Sequence, residues 1–292
     1  MIIMNVRISA IVTAYERIEQ TLATLHVIQS CSPPPHEILV HVDAAQFECE
    51  KAIQRAFPTV RVLLSDKQVG PGGGRNKLID AARCEFVASF DDDSYPIDSD
   101  FFERTAKLVE QFHEASVLCA TLYHSGESIG LDDRSAQWTA DFSGGACIFR
   151  RQAFLDAGGY VPLPVAYGME EVDLALRLHA RGGRILTTPW LRVFHNTDLR
   201  HHADPRVTAS SIANLALLAY LRYPVSLWAI GLGQCANRLL WLLRHGRRRG
   251  IFKGLTMIPA HLRAHQHFRL PLSNGAVRSY LALRRAPIAA NL

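Results

Sequence analysis

Over its first two hundred residues the sequence alternates short β-branched runs with stretches of helical period, and this predicts an α/β fold with a mostly parallel sheet flanked by helices. Two further observations predict a different region behind it. From Thr208 onward the pattern changes to long apolar helices, and the charge changes with it. Residues 1 to 204 hold 19 Lys and Arg and all 27 Asp and Glu, a balance of −8, whereas residues 205 to 292 hold 13 Lys and Arg and no acid. The net charge of +5 thus averages an acidic body, suited to cations or neutral polar ligands, with a basic tail suited to an anionic surface. We place the boundary between residues 204 and 205.

The elements run in order along the chain. VRISAIVTA reads as the first strand, and Glu19 to Ser30 as a helix with Leu22, Leu25 and Ile28 on one face, broken by CSPPPH. EILVHVD is the second strand, Lys51 to Phe57 a helix, VRVLLS the third strand, and GPGGGRNKLIDAA a glycine turn running into a helix. CEFVASF is the fourth strand, ending in three consecutive aspartates. Asp100 to Phe112 is helical, VLCATLYH a strand, and Ser125 to Asp141 a polar segment long enough for a functional loop. SGGACIFRR is strand-like, Arg151 to Ala157 a short helix stopped by Gly158 and Gly159, and Glu170 to Ala180 a helix with Leu174 and Leu178 inward. GRILTTP and WLRVFH are strands that close the body.

At 292 residues and 48% hydrophobic, the chain can bury a large core, which excludes disordered and fibrous classes. Its six cysteines lie far apart without a Cys-x-x-Cys pair, and the apolar run at the N-terminus is too short for a signal peptide. We expect a cytoplasmic, reducing setting and no zinc finger. The apolar run from Val225 to Leu243 contains Gln234, Asn237 and Arg238. A central Arg costs roughly 2.5 to 3.5 kcal/mol on insertion scales, so a helix lying in a membrane interface or packed on the body is expected, and not a span.

Four constellations carry chemistry. In FDDDSYP, Asp91, Asp92 and Asp93 stack like charges at a strand end, which a hard cation such as Mg²⁺ or Mn²⁺ shared with a phosphate would offset. A solvated acidic loop or a helix N-cap would account for the same residues. Gly70 to Asn76 (GPGGGRN) lies between a strand and a helix, where backbone amides reach a phosphate; a tight turn is the plainer reading, though Arg75 and Asn76 add donors. Glu170, Glu171 and Asp173 open a helix, either as a well-made N-terminus or as a carboxylate base for a hydroxyl, with Arg177 orienting them. His195 ends an apolar strand and is either a core residue or a metal ligand; His201 and His202 are weaker candidates, and His261, His265 and His267 read as interfacial.

The ordered set of TAYERIEQTLATL, EILVHVD, GPGGGRN, FDDDSYP, SGGACIFRR, GMEEVDLALRL and RVFH resembles the family 2 glycosyltransferases of GT-A fold, a Rossmann-like architecture, across roughly residues 5 to 200. The resemblance implies that Ala14, Tyr15 and Arg17 face the nucleotide and that Asp43 reads a uracil-type base. It puts Arg75 and Asn76 near the diphosphate, with Asp91 and Asp93 as the Asp-x-Asp metal motif. Gly144 and Gly145 would floor the sugar and acceptor pocket, and Glu171, second of the Glu170–Glu171 pair, would be the base. Departures are Glu16 in TAYER, the lack of a second polar residue after Asp43, and Glu at the base position; a longer side chain leaves Glu170 or Asp173 able to serve. The tail resembles the basic, aromatic helices of relatives that act on lipid-linked glycans.

The reaction implied is a metal-dependent, inverting transfer of a sugar from a UDP-, dTDP- or GDP-sugar to a hydroxyl of a glycan, lipid-linked or small-molecule acceptor, with Mg²⁺ or Mn²⁺ held by Asp91, Asp93 and His195. A nucleotidyltransferase would want a basic glycine loop after the first strand, where TAYERIEQ stands. A non-catalytic nucleic-acid binder would want polar tail helices, whereas Trp228, Trp241 and several leucines surround the arginines, so no nucleic acid is expected. The tail's apolar faces are open to three partners: the inner face of an anionic plasma membrane, the body itself, or a second copy in a homodimer.

Overall fold

The computed structural model describes residues 6–130, 133–165, 167–197 and 204–290. His201 and His202 lie outside the described residues. The body runs β1 (Ile8–Ala14), α1 (Ile18–Gln29), β2 (Glu37–Val42), α2 (Phe47–Ala56), β3 (Arg61–Leu64), α3 (Gly70–Ala81), β4 (Phe86–Asp91), β5 (Ser94–Pro96), α4 (Phe101–Gln111), β6 (Ala115–His124), β7 (Ala136–Thr139), β8 (Ala146–Arg150), α5 (Arg151–Asp156), α6 (Glu170–Ala180) and β9 (Arg184–His195). The tail adds α7 (Pro205–Arg222), α8 (Trp228–Arg244), α9 (Ile251–Ala264), α10 (Asn274–Arg285) and β10 (Ile288–Ala290).

The main sheet has the order β10-β7-β9-β6-β8-β4-β1-β2-β3, with β5 paired to β9. Strands β3, β2, β1 and β4 are parallel neighbours, β6 and β9 are parallel to each other, and β8, β7 and β5 run against the strands they pair with in the body. Fully buried strand residues such as Ala10, Val12, Leu39 and Val40 explain why the sequence reads there as continuous apolar runs: helices cover both faces. One face packs Leu25 and Ile28 of α1, Ile53 of α2 and Phe101 and Leu108 of α4. The other packs Leu78 of α3, Phe154 of α5 and Leu174 and Leu178 of α6, and it also takes Tyr223 and Leu227 after α7 and Val277 and Tyr280 of α10.

The parallel strands β1 and β4 end side by side, with Thr13 in register with Asp91. In such sheets ligands collect beyond the carboxyl ends of the strands. The loops there hold unfavourable backbone: Glu16, Ala44 and Ala45 have φ of 59°, 56° and 53°, a left-handed region costly for residues with a Cβ and often kept at functional sites.

The tail is tied to the body by more than apolar contact. Arg222 donates to Asp173 of α6 (Nη2 to Oδ2, 3.2 Å), Arg284 pairs with Asp141 at 2.7 Å, and β10 adds to the sheet through β7. His261 of α9 packs its Nε2 2.9 Å from Asn214 Oδ1 of α7. The run from Val225 to Leu243 forms a short 3-10 turn and most of α8, and among the described residues no helix is long and apolar enough to cross a membrane.

Candidate active site

Asp43 shows how local sequence builds the cleft. Helix α3 starts with Gly70, Gly72, Gly73 and Gly74, poor helix formers whose first amides have no cap of their own. Asp43, at the end of β2, supplies one from a distance: its carboxylate accepts from Val69 N at 3.0 Å and Gly70 N at 2.9 Å. The glycines serve close approach. A Cβ at Gly72 would sit 2.5 Å from Glu170 Oε2, so the absence of a side chain lets α3 reach α6.

Arg75, one turn into α3 and 2% exposed, joins three elements. Its Nε donates to Ser89 Oγ of β4 (3.1 Å), Nη1 to Glu170 Oε1 of α6 (3.2 Å), and Nη2 to Asp91 Oδ1. Gly144 and Gly145, before β8, line the gap beside it. A Cβ on Gly145 would come within 2.1 Å of Asp91 Oδ2, and one on Gly144 within 3.2 Å of Glu171 Oε1. Asp91 and Glu171 therefore each stand close against one glycine of the pair, where a side chain would displace them.

Burial pushes both α6 carboxyls above the ordinary carboxylate range; Glu171 adds to the rise of Glu170, and Arg75 opposes it in both. Glu170 Oε2 is buried with no hydrogen-bond partner. A carboxyl whose proton affinity has been raised is suited to take a proton from an alcohol.

One donor atom from each of Asp91, Asp93 and His195 lies within 4.8 Å of the others, and this is the one such cluster among the described residues. His195 Nε2 stands 3.1 Å from Asp93 Oδ1, a buried oxygen without a well-formed hydrogen bond. Burial alone would raise the Asp93 carboxyl, yet His195 and Arg17 hold it below its usual range; the same contact outweighs burial at His195 and raises its imidazole. Arg17 spans Asp93 and Asp92 (2.8 Å to Asp92 Oδ1), and Tyr15 N donates to Asp92 Oδ2 at 3.2 Å. Burial, only partly offset by Arg17, pushes the Asp92 carboxyl up to about 7. Two carboxylates and an imidazole fit a hard divalent cation.

Two joined lobes open over this cluster. One, about 710 Å³, is lined by Ala14, Tyr15, Arg17, Asp43 and Asp91 to Asp93. The other, about 460 Å³, is lined by Arg75, Gly145, Glu170 and Glu171. Asp91 and His195 line both.

Three sequence candidates do not line either lobe: Gly144, which lies beside Arg75 and Glu171, Asn76 and Asp173. Asn76 turns away and clamps the Tyr160 backbone, Nδ2 to O at 2.9 Å and Oδ1 from N at 2.8 Å. Asp173 is fully buried on the far side of α6 between Arg177 and Arg222, so its oxygens are occupied. Conversely, Tyr167 lines both lobes and His124 lines the smaller, its ring 5.5 Å from that of His195. His124 ends β6 in register with His195 at the end of β9, and a strand-terminal histidine in LYH is the signal that could have found it.

The acids, the candidate cation site and the glycine pair thus lie together at the strand ends of a Rossmann-like sheet. Residues 9–141 match the family described as Glycosyl transferase family 2. Among solved structures the chain is similar to GalNAc-T7 with UDP, GalNAc and Mn²⁺ (TM-score 0.58, 13% identity), covering 75% of this chain and 48% of that one, about half its length. It is also similar to the mannosyltransferase PcManGT from Pyrobaculum calidifontis with GDP-Man and Mn²⁺ (0.57, 14%, covering 96% and 84%). A third is S. aureus TarS 1-349 with UDP-GlcNAc (0.55, 15%, covering 89% and 92%). At these identities the likeness carries the fold. A comparison with curated proteins finds no match.

Proposed function

We propose that the protein transfers a sugar from a nucleoside diphosphate sugar to an acceptor hydroxyl with inversion at the anomeric carbon. The observation that carries this reading is the cluster of Asp91, Asp93 and His195, of which Asp91 and His195 line both lobes, with Glu171 in the wall of the smaller lobe. The larger lobe suits the nucleotide, with Tyr15 and Asp43 in its wall and Arg17 near the phosphates. TarS with UDP-GlcNAc and PcManGT with GDP-Man, which share the fold, support a donor of this class.

Asp91, Asp93 and His195 would hold Mg²⁺ or Mn²⁺, which supplies neutralisation of the charge that develops on the departing diphosphate. Arg75 fixes Asp91 and Glu170. Glu171 takes the proton of the acceptor hydroxyl, and the hydroxyl oxygen attacks the anomeric carbon from the face opposite the leaving group. The bond to the diphosphate oxygen breaks and the electron pair leaves with the phosphate. Glu170, beside Glu171 and tied to Arg75, sets the local charge. Calorimetry with UDP-, dTDP- and GDP-sugars, with Mn²⁺ and with EDTA, tests the donor reading; affinity unchanged by EDTA would remove the metal from it, and a retained anomeric configuration would remove the single displacement.

The tail supports a peripheral position on an anionic membrane. Leu232, Phe252 and Leu270 are 72%, 79% and 60% exposed, with Trp228, Leu240 and Leu243 also open to solvent beside Arg244, Arg248 and Arg249. Flotation with anionic but not zwitterionic vesicles, weakened by salt, is the expected result; absence of flotation at low salt would overturn it.

A further inference from the structure

A third cavity, of about 550 Å³, opens between α6, α7 and α8, and Tyr167 and Gly168 line both it and the Glu171 lobe. Its wall carries Arg238, Arg247 and Arg284 together with Gln234 and Asn237 of α8, and no carboxylate among the described lining residues. Arg284 is paired with Asp141 outside it. Arg238 and Arg247 meet over one indole, their guanidinium carbons 4.8 Å and 5.8 Å from the Trp241 ring centroid. Each is steadied by a hydroxyl of α7: Arg238 Nη2 lies 3.3 Å from Ser211 Oγ, and Arg247 Nη2 lies 3.2 Å from Thr208 Oγ1.

Two half-buried guanidiniums beside one indole repel each other. Burial and Arg247 together make Arg238 easier to deprotonate than an ordinary arginine, so an anion beside it would be welcome. Planar forks converging with amide donors match the oxygens of a phosphate. Tyr167 ties this pocket to the chemistry. It lines this pocket and both lobes of the cleft, and burial, Asp91 and Glu171 raise its phenol to about 12 while Arg247 opposes the rise.

We propose that Arg238 and Arg247 bind a phosphate group carried by the acceptor, anchoring it while its hydroxyl end passes Tyr167 to reach Glu171. This rests on the glycosyltransferase reading above. A phosphate monoester on a soluble glycan and the phosphate of a lipid-linked one share this chemistry.

The test is a phosphorus NMR titration of the full chain in EDTA with inorganic phosphate, glycerol 3-phosphate and dodecyl phosphate. Arg238→Gln and Arg247→Gln should each weaken phosphate binding about tenfold or more, Arg238→Lys should weaken it less, and Asp93→Ala should leave it in place. Calorimetry with UDP or GDP and Mn²⁺ on the same variants checks that they fold, and its outcome for the unaltered protein bears on the donor reading alone. Tighter binding of dodecyl phosphate, lost in the arginine variants, assigns the group to a lipid-linked acceptor; tighter binding of glycerol 3-phosphate, equally lost, assigns it to a soluble one. Phosphate affinity unchanged in both glutamine variants, or lost in Asp93→Ala and kept in them, overturns the proposal.

Discussion

Helix α6 carries two buried carboxylate–arginine clusters on its two sides, and they are built in opposite proportions. Toward the cleft, one arginine, Arg75, is shared by Asp91 and Glu170, with Glu171 beside them. Away from it, one carboxylate, Asp173, is shared by Arg177 and Arg222. The first side has more acid than its arginine can neutralise, and both glutamates there are pushed toward the protonated form. The second encloses its acid completely and joins the body to the tail. The same residue types thus make a reactive surface where charge is left over and a fastening where it is not.

The largest effect should come from the cation cluster. Asp93→Ala removes a buried candidate ligand and the partner of both His195 and Arg17, and turnover should be abolished, as EDTA should abolish it in the unaltered protein; a metal-supplementation assay checks both. Next, Glu171→Gln keeps the shape and removes proton acceptance, so transfer should fall by roughly two to four orders of magnitude while donor affinity holds, read by steady-state kinetics beside calorimetry. Full activity in that variant with loss in Glu170→Gln would exchange their roles.

The third prediction sets the two clusters against each other directly. Asp173→Asn strands two buried guanidiniums and should cost about 3 to 5 kcal/mol in denaturant unfolding, whereas Glu170→Gln removes a surplus charge and should cost little or stabilise. Equal losses would erase the distinction. The smallest effect is at the tail. Burial and His265 lower the His261 imidazole from its ordinary 6.5 to about 4, so the folded state keeps it neutral. Its contribution is present above pH 6.5 and lost as pH falls from there toward 4. The melting temperature should decline over that window, and His261→Gln should flatten the decline.

Much of this is legible in the sequence because it is local. Helix α6 can be read to its end residues, since acids in the first turn and Gly182 and Gly183 after the last mark both termini. What escapes reading depends on distant partners. GRILTTP and WLRVFH form one strand, β9, because Pro189 falls where the register with β6 shifts between Ala120 and Thr121, a place where a missing amide does no harm. Helix α3 begins at Gly70 itself, because Asp43 caps it from another strand. The three-residue strands β5 and β10 have no pattern of their own. Among site residues, the aspartates stand out as a triplet, whereas Asn76 sits among cleft residues in sequence and faces Tyr160 in space, a matter of which side of a helix it occupies.

The pairing of β10 with β7 bears on how the molecule is assembled. Strand β7 lies between β9 and a partner made only after the four tail helices have been synthesised. Until then its outer edge presents unpaired amides and carbonyls, a template for any other extended chain. A nascent or clipped protein ending before Ile288 would therefore leave the outer edge of β7 bare while the candidate site residues are already in place, whereas with Ile288–Ala290 present the edge passes to the three-residue β10, too short to template much pairing.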